Sequence, residues 1–202
     1  MTILLPSPPN FTRSTFGLEA HTQAFTSPLT RNTQRVVLAG ARWTFSGTIR
    51  RMRKDEKLAR DWISFFLQCE GMANTFNAYD PDRRTALGKL GGTPLVNGGS
   101  QTGSTLTIDG CTANVTNWAM AGDYFAVNGE FKQLTAPVNT NGSGQATLSF
   151  KPALRASPAD NAAVDFLTPT CTMILTDDKQ GVWDADANGV YEEKSFSAVE
   201  VF

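Results

Sequence analysis

Ser104–Arg155 reads STLTIDGCTANVTNWAMAGDYFAVNGEFKQLTAPVNTNGSGQATLSFKPALR, a set of short runs separated by Asn and Gly. Its clearest part is Asp123 to Leu134. Tyr124 or Phe125 alternates with Ala126 and Val127, Asn128-Gly129 follows, and Phe131 to Leu134 alternates again. An Asn-Gly pair takes the positive φ angles of a type I′ turn, whose twist matches that of paired strands, so a hairpin is predicted here. A second hairpin is expected to reverse at Asn141-Gly142-Ser143-Gly144, joining Gln133–Val138 to Ala146–Phe150. Pro137 and Pro152 then belong at strand ends or edges, because neither can donate to a ladder. With its flanks the stretch has the size of a small antiparallel barrel, roughly 80 residues.

Beyond it, Ser157-Pro158 and Thr168-Pro169 punctuate the chain. Thr172–Leu175 and Ser195–Phe202 then read as strands, the latter setting Phe196, Ala198 and Glu200 against Val199 and Val201. Two strands are too few to fold alone, so the tail is expected to return to a sheet begun earlier. On the other side, residues 80–103 are rich in Pro, Arg, Gly, Thr and Asn and read as a linker or long loop.

The one strong helix pattern precedes that loop, in KDEKLARDWISFFLQCEG, residues 54–71. Leu58, Trp62, Phe65, Phe66 and Cys69 recur at spacings of three and four and form one stripe. Asp55 is placed to cap the helix, Glu56 lies in its first turn, and Gly71 is placed to end it. Burying each large side chain of the stripe is worth roughly 1.5–3 kcal/mol, so it should dock on the sheet that carries Trp43 and Phe45. A hairpin is expected from Arg35–Leu38 through Gly40-Ala41 to Trp43, Phe45, Gly47 and Ile49. Asn74–Tyr79 is expected to return as a strand. Residues 1–32 scatter Ile3, Leu4, Leu5, Phe11, Phe16 and Phe25 among Pro, Ser, Thr and Asn, which suggests an irregular arm packing on its own sheet or on a neighbouring subunit. The fold class is mainly β: a split β-sandwich with one amphipathic helix, residues 1–92 plus 171–202, carrying an inserted antiparallel barrel, residues 93–170.

The 202 residues are 41% hydrophobic and 18% charged, enough to bury a core while Thr, Asn, Ser and Gly cover the surface. A net charge of −1 argues against a dedicated nucleic-acid binder, which needs an excess of Lys and Arg. Cys69, Cys111 and Cys171 are far apart and read as small buried apolar residues. MTILLPSPPNFT lacks a basic start and its apolar run ends at Pro6. No stretch of 18 apolar residues spans a bilayer, so a soluble chain made in the cytoplasm is expected.

Asp184-Ala-Asp186-Ala-Asn188-Gly189 matches the start of a calcium loop, making Asp184, Asp186 and Asn188 the one metal candidate. Its twelfth position is Ser195 rather than Glu and no helices flank it, so a polar turn between strands is the expected reading. Arg50, Arg51 and Arg53, beside Lys54, and Arg83 with Arg84 are the basic clusters. Asp55, Glu56, Asp80 and Asp82 lie alongside, which favours a salt-bridged surface; subunit contact is the next reading, and DNA in a lumen the weakest. His21 is the sole histidine and no Gly-x-Ser-x-Gly is present, so nucleophilic catalysis has no support. Asp109, Asp123, Asp177 and Asp178 could pair as carboxylates, yet each has a turn or strand-end explanation. No cofactor is expected. Trp118, Tyr124, Phe125 and Phe131 are read as core residues, with Trp118 and Tyr124 as candidate glycan contacts on a barrel face.

This order of parts resembles the distal tail proteins of long-tailed, siphovirus-type bacteriophages and related prophage tail-tip proteins. The likeness is carried by Phe65–Phe76 (FFLQCEGMANTF), Tyr79–Arg84 (YDPDRR), Asn97–Gly103 (NGGSQTG), Leu106–Gly110 (LTIDG), Ala121–Phe125 (AGDYF), Phe150–Arg155 (FKPALR) and Phe196–Val201 (FSAVEV). It implies a structural, non-enzymatic virion protein made in the bacterial cytoplasm. A belt-like β domain would form a homo-oligomeric ring, usually of six copies, at the distal end of the tail tube, and an OB-like barrel would project outward. The implied partners are further copies of the chain, the tail tube protein and the hub or tip proteins. The alternative function is a host-receptor module that binds a surface glycan through the barrel.

Overall fold

The computed structural model describes residues 3–202. Over these residues the protein is mainly β, with one α-helix. Its strands are β1 (Ile3–Leu4), β2 (Phe11–Glu19), β3 (Thr22–Thr26), β4 (Thr33–Val37), β5 (Arg42–Ile49) and β6 (Met52–Arg53), followed by helix α1 (Lys57–Cys69) and β7 (Phe76–Ala78). Then come β8 (Gly92–Val96), β9 (Gly103–Cys111), β10 (Tyr124–Val127), β11 (Glu130–Leu134), β12 (Ala146–Leu154) and β13 (Val164–Asp165). The chain closes with β14 (Cys171–Leu175), β15 (Val190–Tyr191) and β16 (Lys194–Glu200). The described residues divide into two compact units, one of residues 10–74 with 174–202, the other of residues 3–9 with 75–173. The boundaries expected from composition lay after 92 and before 171.

In the first unit β5 runs between β2 and β16, and the end of β14 lies beyond β16. Trp43, Phe45, Gly47 and Ile49 of β5 all face inward, as their alternation predicts. β16 pairs antiparallel with β5 from Lys194↔Ile49 to Val199↔Thr44, so the C-terminal strand does re-enter the sheet begun by Trp43. The other neighbour of β5 is β2, paired from Phe11↔Ile49 to Glu19↔Arg42. This corrects two expectations. Residues 11–19 do pack on the chain's own sheet, but as an edge strand with a register shift between Phe11 and Arg13 rather than as an irregular arm, and β4 pairs with β3 instead of with β5.

Helix α1 covers the sheet with Ala59, Trp62, Phe65, Phe66 and Cys69; Leu58 is only half-buried. The Trp62 ring lies 5.5 Å from Phe11 and 5.5 Å from Phe196, tying the helix to both β2 and β16. Gly47 permits this, because a Cβ there would come within 2.7 Å of the Phe11 ring. The helix begins without a side-chain cap. Asp55 pairs with Arg53, and Glu56, the residue at the cap position, turns its carboxylate to Arg50 and to the backbone N–H of Arg53. Glu70 and Gly71 end the helix in the left-handed region, at φ 48 and 65°.

The second unit holds a six-stranded, nearly closed barrel-like sheet in the order β13-β10-β11-β12-β9-β8. The remaining gap is bridged by Val96, whose N–H donates to Ala162 and whose carbonyl accepts from Asn161, both at 2.9 Å. Trp118, Phe125, Phe150 and Phe166 pack inside with Leu106, Ile108 and Leu148. Val127↔Glu130 closes the β10–β11 hairpin around Asn128 (φ 51°) and Gly129 (φ 75°), the two positive φ angles expected there.

The second predicted hairpin is different. The chain does reverse at Asn141–Gly144, where the Asn141 side chain accepts the N–H groups of Ser143 and Gln145 at 2.9 Å each. β12, however, runs along β9 from Ala146↔Ile108 to Ser149↔Thr105, and meets β11 only at Gln133 and Leu134. Val138 bridges to Ala119 instead. Pro152 lies inside β12, where the register with β9 shifts between Ser149 and Leu154, and this irregularity is what tolerates a residue without an N–H. In the same unit β7 lies between β1 and the start of β14. The stretch expected as a linker is folded onto the barrel: Leu90 N–H donates to Trp118, and Thr112 and the Trp118 indole both donate to Gly91.

Candidate functional site

Among the sequence-derived candidates, most charges are already paired inside the unit that carries them. Arg50 meets Glu56 at 2.5 Å, Arg53 meets Asp55 at 3.2 Å, and Arg51 meets Glu192 at 2.7 Å and Asp186 at 3.8 Å. The placement follows from strand pairing. Met52 and Arg53 form β6, which pairs with β15 and brings the 186–192 turn beside Arg51. The Arg50 bond, and then the Arg53 N–H, hold the Glu56 carboxyl below its ordinary value.

Asp184–Gly189 is a turn. Asp186 accepts the N–H groups of Asn188 at 2.9 Å and Val190 at 2.8 Å, and the Glu192 N–H donates to the Asp184 carbonyl. The Asp186 carboxylate thus holds the backbone reversal together, with Arg51 beside it. The described residues contain no group of three or more His, Cys, Asp or Glu arranged to hold a metal. Three of the four other acidic candidates also accept backbone N–H groups: Asp123 those of Leu87, Gly88 and Met120, Asp177 that of Lys179, and Asp178 that of Met72; Asp109 lies in β9.

The two glycan-contact candidates are corrected to core residues. Trp118 is 1% exposed and Tyr124 5%, so neither presents a ring face on which a sugar could stack. The Tyr124 hydroxyl donates to Asp80 at 2.8 Å and accepts from Arg83 at 2.7 Å, and its ring stacks on Phe131. Burial, and then the Asp80 bond, raise the phenol above its ordinary value. Arg84 lies over the Tyr79 ring at 4.2 Å. A pocket of about 430 Å³ beside these residues is lined by Arg83 and Arg84 but equally by Asp82 and Asp123, so its charge is balanced.

Sequence reasoning missed one buried ion pair. Lys132 is fully buried; its Nζ lies 2.6 Å from Glu130 and donates to the Ala153 carbonyl at 2.9 Å. Glu130 also accepts the N–H groups of Arg155 and Ala156. Burial pushes its carboxyl up, but Lys132 and the two N–H groups outweigh that, and the net shift is downward. The alternation around Phe131 would place Glu130 and Lys132 in solvent, so no local signal marks them. The three cysteines are buried; burial pushes the Cys69 and Cys111 thiols up to about 11.

What remains unsatisfied is the β3–β4 hairpin. It is paired from Thr22↔Val37 to Thr26↔Thr33, and all ten strand residues are exposed, so it has no buried face. Leu38 N–H to His21 O closes its base, and the N–H of Ser27 to Asn32 O its tip, where Leu29 is 93% exposed. Phe25, Val36 and Val37 are exposed along its length. A lone two-stranded hairpin is marginal in water, and four large exposed apolar side chains on one such element point to an interaction surface. The sequence signal was an alternating pattern on both sides of a Ser-Pro turn with no apolar face to bury, which reads as irregular. Comparison with known proteins adds nothing to this geometry: no protein-family model and no curated protein matches the chain.

Proposed function

We propose that this chain is a structural, non-enzymatic virion protein that assembles with further copies into a ring at the distal end of a phage tail tube. The ring would connect the tube to the hub and the host-binding apparatus. The observation that carries the reading is the β3–β4 hairpin, a folded element with apolar side chains and no partner within its own unit. A heterologous contact that closes by rotation would give it one. The resemblance of the part order and of the quoted sequence phrases to distal tail proteins supplies the rest. In this reading β2, β5, β16 and α1 form the belt-like, split-sandwich ring domain, and the barrel-like sheet is the outward OB-like domain. Six copies is the number the resemblance implies. Each subunit contact should bury about 1,200 Å² or more in total. No helix among the described residues is long and apolar enough to cross a membrane.

Imaging tail particles that carry a tagged copy of the chain tests the proposal. Label at the distal end of the tube is the expected result, and tails free of label would overturn it.

A further inference from the structure

Charge is unevenly distributed in the unit made of residues 10–74 and 174–202. Residues 10–54 carry eight Lys or Arg against the single acid Glu19, whereas residues 55–74 with 174–202 carry eleven Asp or Glu against four Lys or Arg. Much of this is neutralised locally by the Arg50, Arg51 and Arg53 pairs. The charges left over are informative. On the hairpin, Arg31 at the tip and Arg35 in β4 are exposed, with no acidic neighbour on the element and no ion-pair partner among the described residues. On the C-terminal segment, the carboxylates of Asp184 and Glu193 are exposed and likewise without an ion-pair partner among the described residues. These two acids flank the turn closed by the Ala185↔Tyr191 bridge, and Val182 next to them is 65% exposed.

Resting on the assembly reading above, we infer that the Thr22–Val37 hairpin of one copy docks on the Val182–Glu193 segment of the next copy, with Arg31 and Arg35 facing Asp184 and Glu193. The two surfaces match in kind: apolar and basic on the hairpin, apolar and acidic on the segment. Two different patches of one chain make the contact heterologous, the type that propagates around a ring. The paired arginines choose the partner and set the register, while the exposed apolar side chains supply the area.

Charge reversal tests the contact in the full-length chain. Arg31→Glu/Arg35→Glu and, separately, Asp184→Lys/Glu193→Lys are made, and mass is followed by light scattering at concentrations where the wild type is assembled, with circular dichroism confirming the fold. Each variant alone should fall to monomer. Mixed one to one they should reassemble, because every junction then joins either two wild-type patches or two reversed ones. If a reversed variant fails to fold, Arg31→Gln/Arg35→Gln replaces it and should weaken assembly and its salt sensitivity together. Variants that assemble like the wild type, or a mixture that fails to recover, would overturn this docking and leave the assembly reading standing. A wild type that is monomeric throughout would overturn both.

Discussion

The carboxylate of Glu200 accepts the backbone N–H of Trp43 at 3.0 Å, joining the last residue of β16 to the start of β5. Glu200 is 2% exposed, so this bond is shielded from solvent. It is the far end of the ladder that makes the C-terminal strand a part of the fold begun more than a hundred residues earlier.

Replacing Glu200 with Ala leaves the Trp43 N–H without its charged acceptor. Hydrogen bonds to charged groups are worth roughly 1.5–3 kcal/mol, and a destabilisation of that size is expected by urea unfolding. Glu200→Gln keeps a carbonyl acceptor and should lose less. Equal losses for Ala and Gln would show that the bond to Trp43 contributes little.

Lys132→Met strands Glu130 in the interior of the barrel unit. Breaking one partner of a buried pair typically costs about 3–5 kcal/mol. The Glu130 carboxyl is shifted below its ordinary 4.5, so its contribution is complete above that pH and is lost as pH falls through the lower folded-state value. Acid unfolding of the wild type should therefore set in below about 4.5, and Lys132→Met, which removes the side-chain bond lowering that pKa, should move the acid transition to higher pH. A circular-dichroism titration of both proteins reads the difference.

Trp118 and Tyr124 should report on stability. Trp118→Ala opens a cavity in the barrel core and should cost about 3–5 kcal/mol. Tyr124→Phe removes the hydroxyl shared by Asp80 and Arg83, with an expected loss of about 1–3 kcal/mol because Asp80 is buried. Thermal melts of both variants check this; unchanged melting would place the Trp118 ring outside the core and show that the Tyr124 hydroxyl contributes little.

The parts legible from sequence were those with one wet face and one dry face. Trp43, Phe45 and Ile49 alternate against polar neighbours, α1 carries its aromatic stripe at helical spacing, and Asn128-Gly129 permits only a few turn types. Where that contrast fails, the sequence is mute. β2 is an edge strand whose residues are mostly exposed or half-buried, so Phe11 and Phe16 look scattered. β11 buries Glu130, Phe131 and Lys132 in succession, which no period of two can reveal. Residues 87–91 have a loop's composition, yet Asp123 and Trp118 hold them against the barrel through backbone bonds that composition does not encode. Of the candidate site, the Arg50, Arg51 and Arg53 cluster was visible but its role was not, since its acidic partners include Glu192, far along the chain.

The hairpin can be removed without disturbing the sheet beneath it. Glu19 and Arg42 are directly opposed in the β2–β5 ladder, so residues 20–41 can be replaced by an Asn-Gly turn that makes β2 and β5 a direct hairpin. Since β3 and β4 bury no side chain, the melting temperature of the monomer should stay where it is, while assembly is lost. A drop in the melting temperature comparable to that of a core substitution would show that the hairpin packs within its own chain.

The most direct test of the assembly claim is the mass and shape of the purified full-length chain across a concentration series, by light scattering and electron-microscopic class averages. A closed ring of identical copies, six by the resemblance, is the expected species. A monomer that persists at the highest concentration attainable, with no ring in any class average, would contradict it.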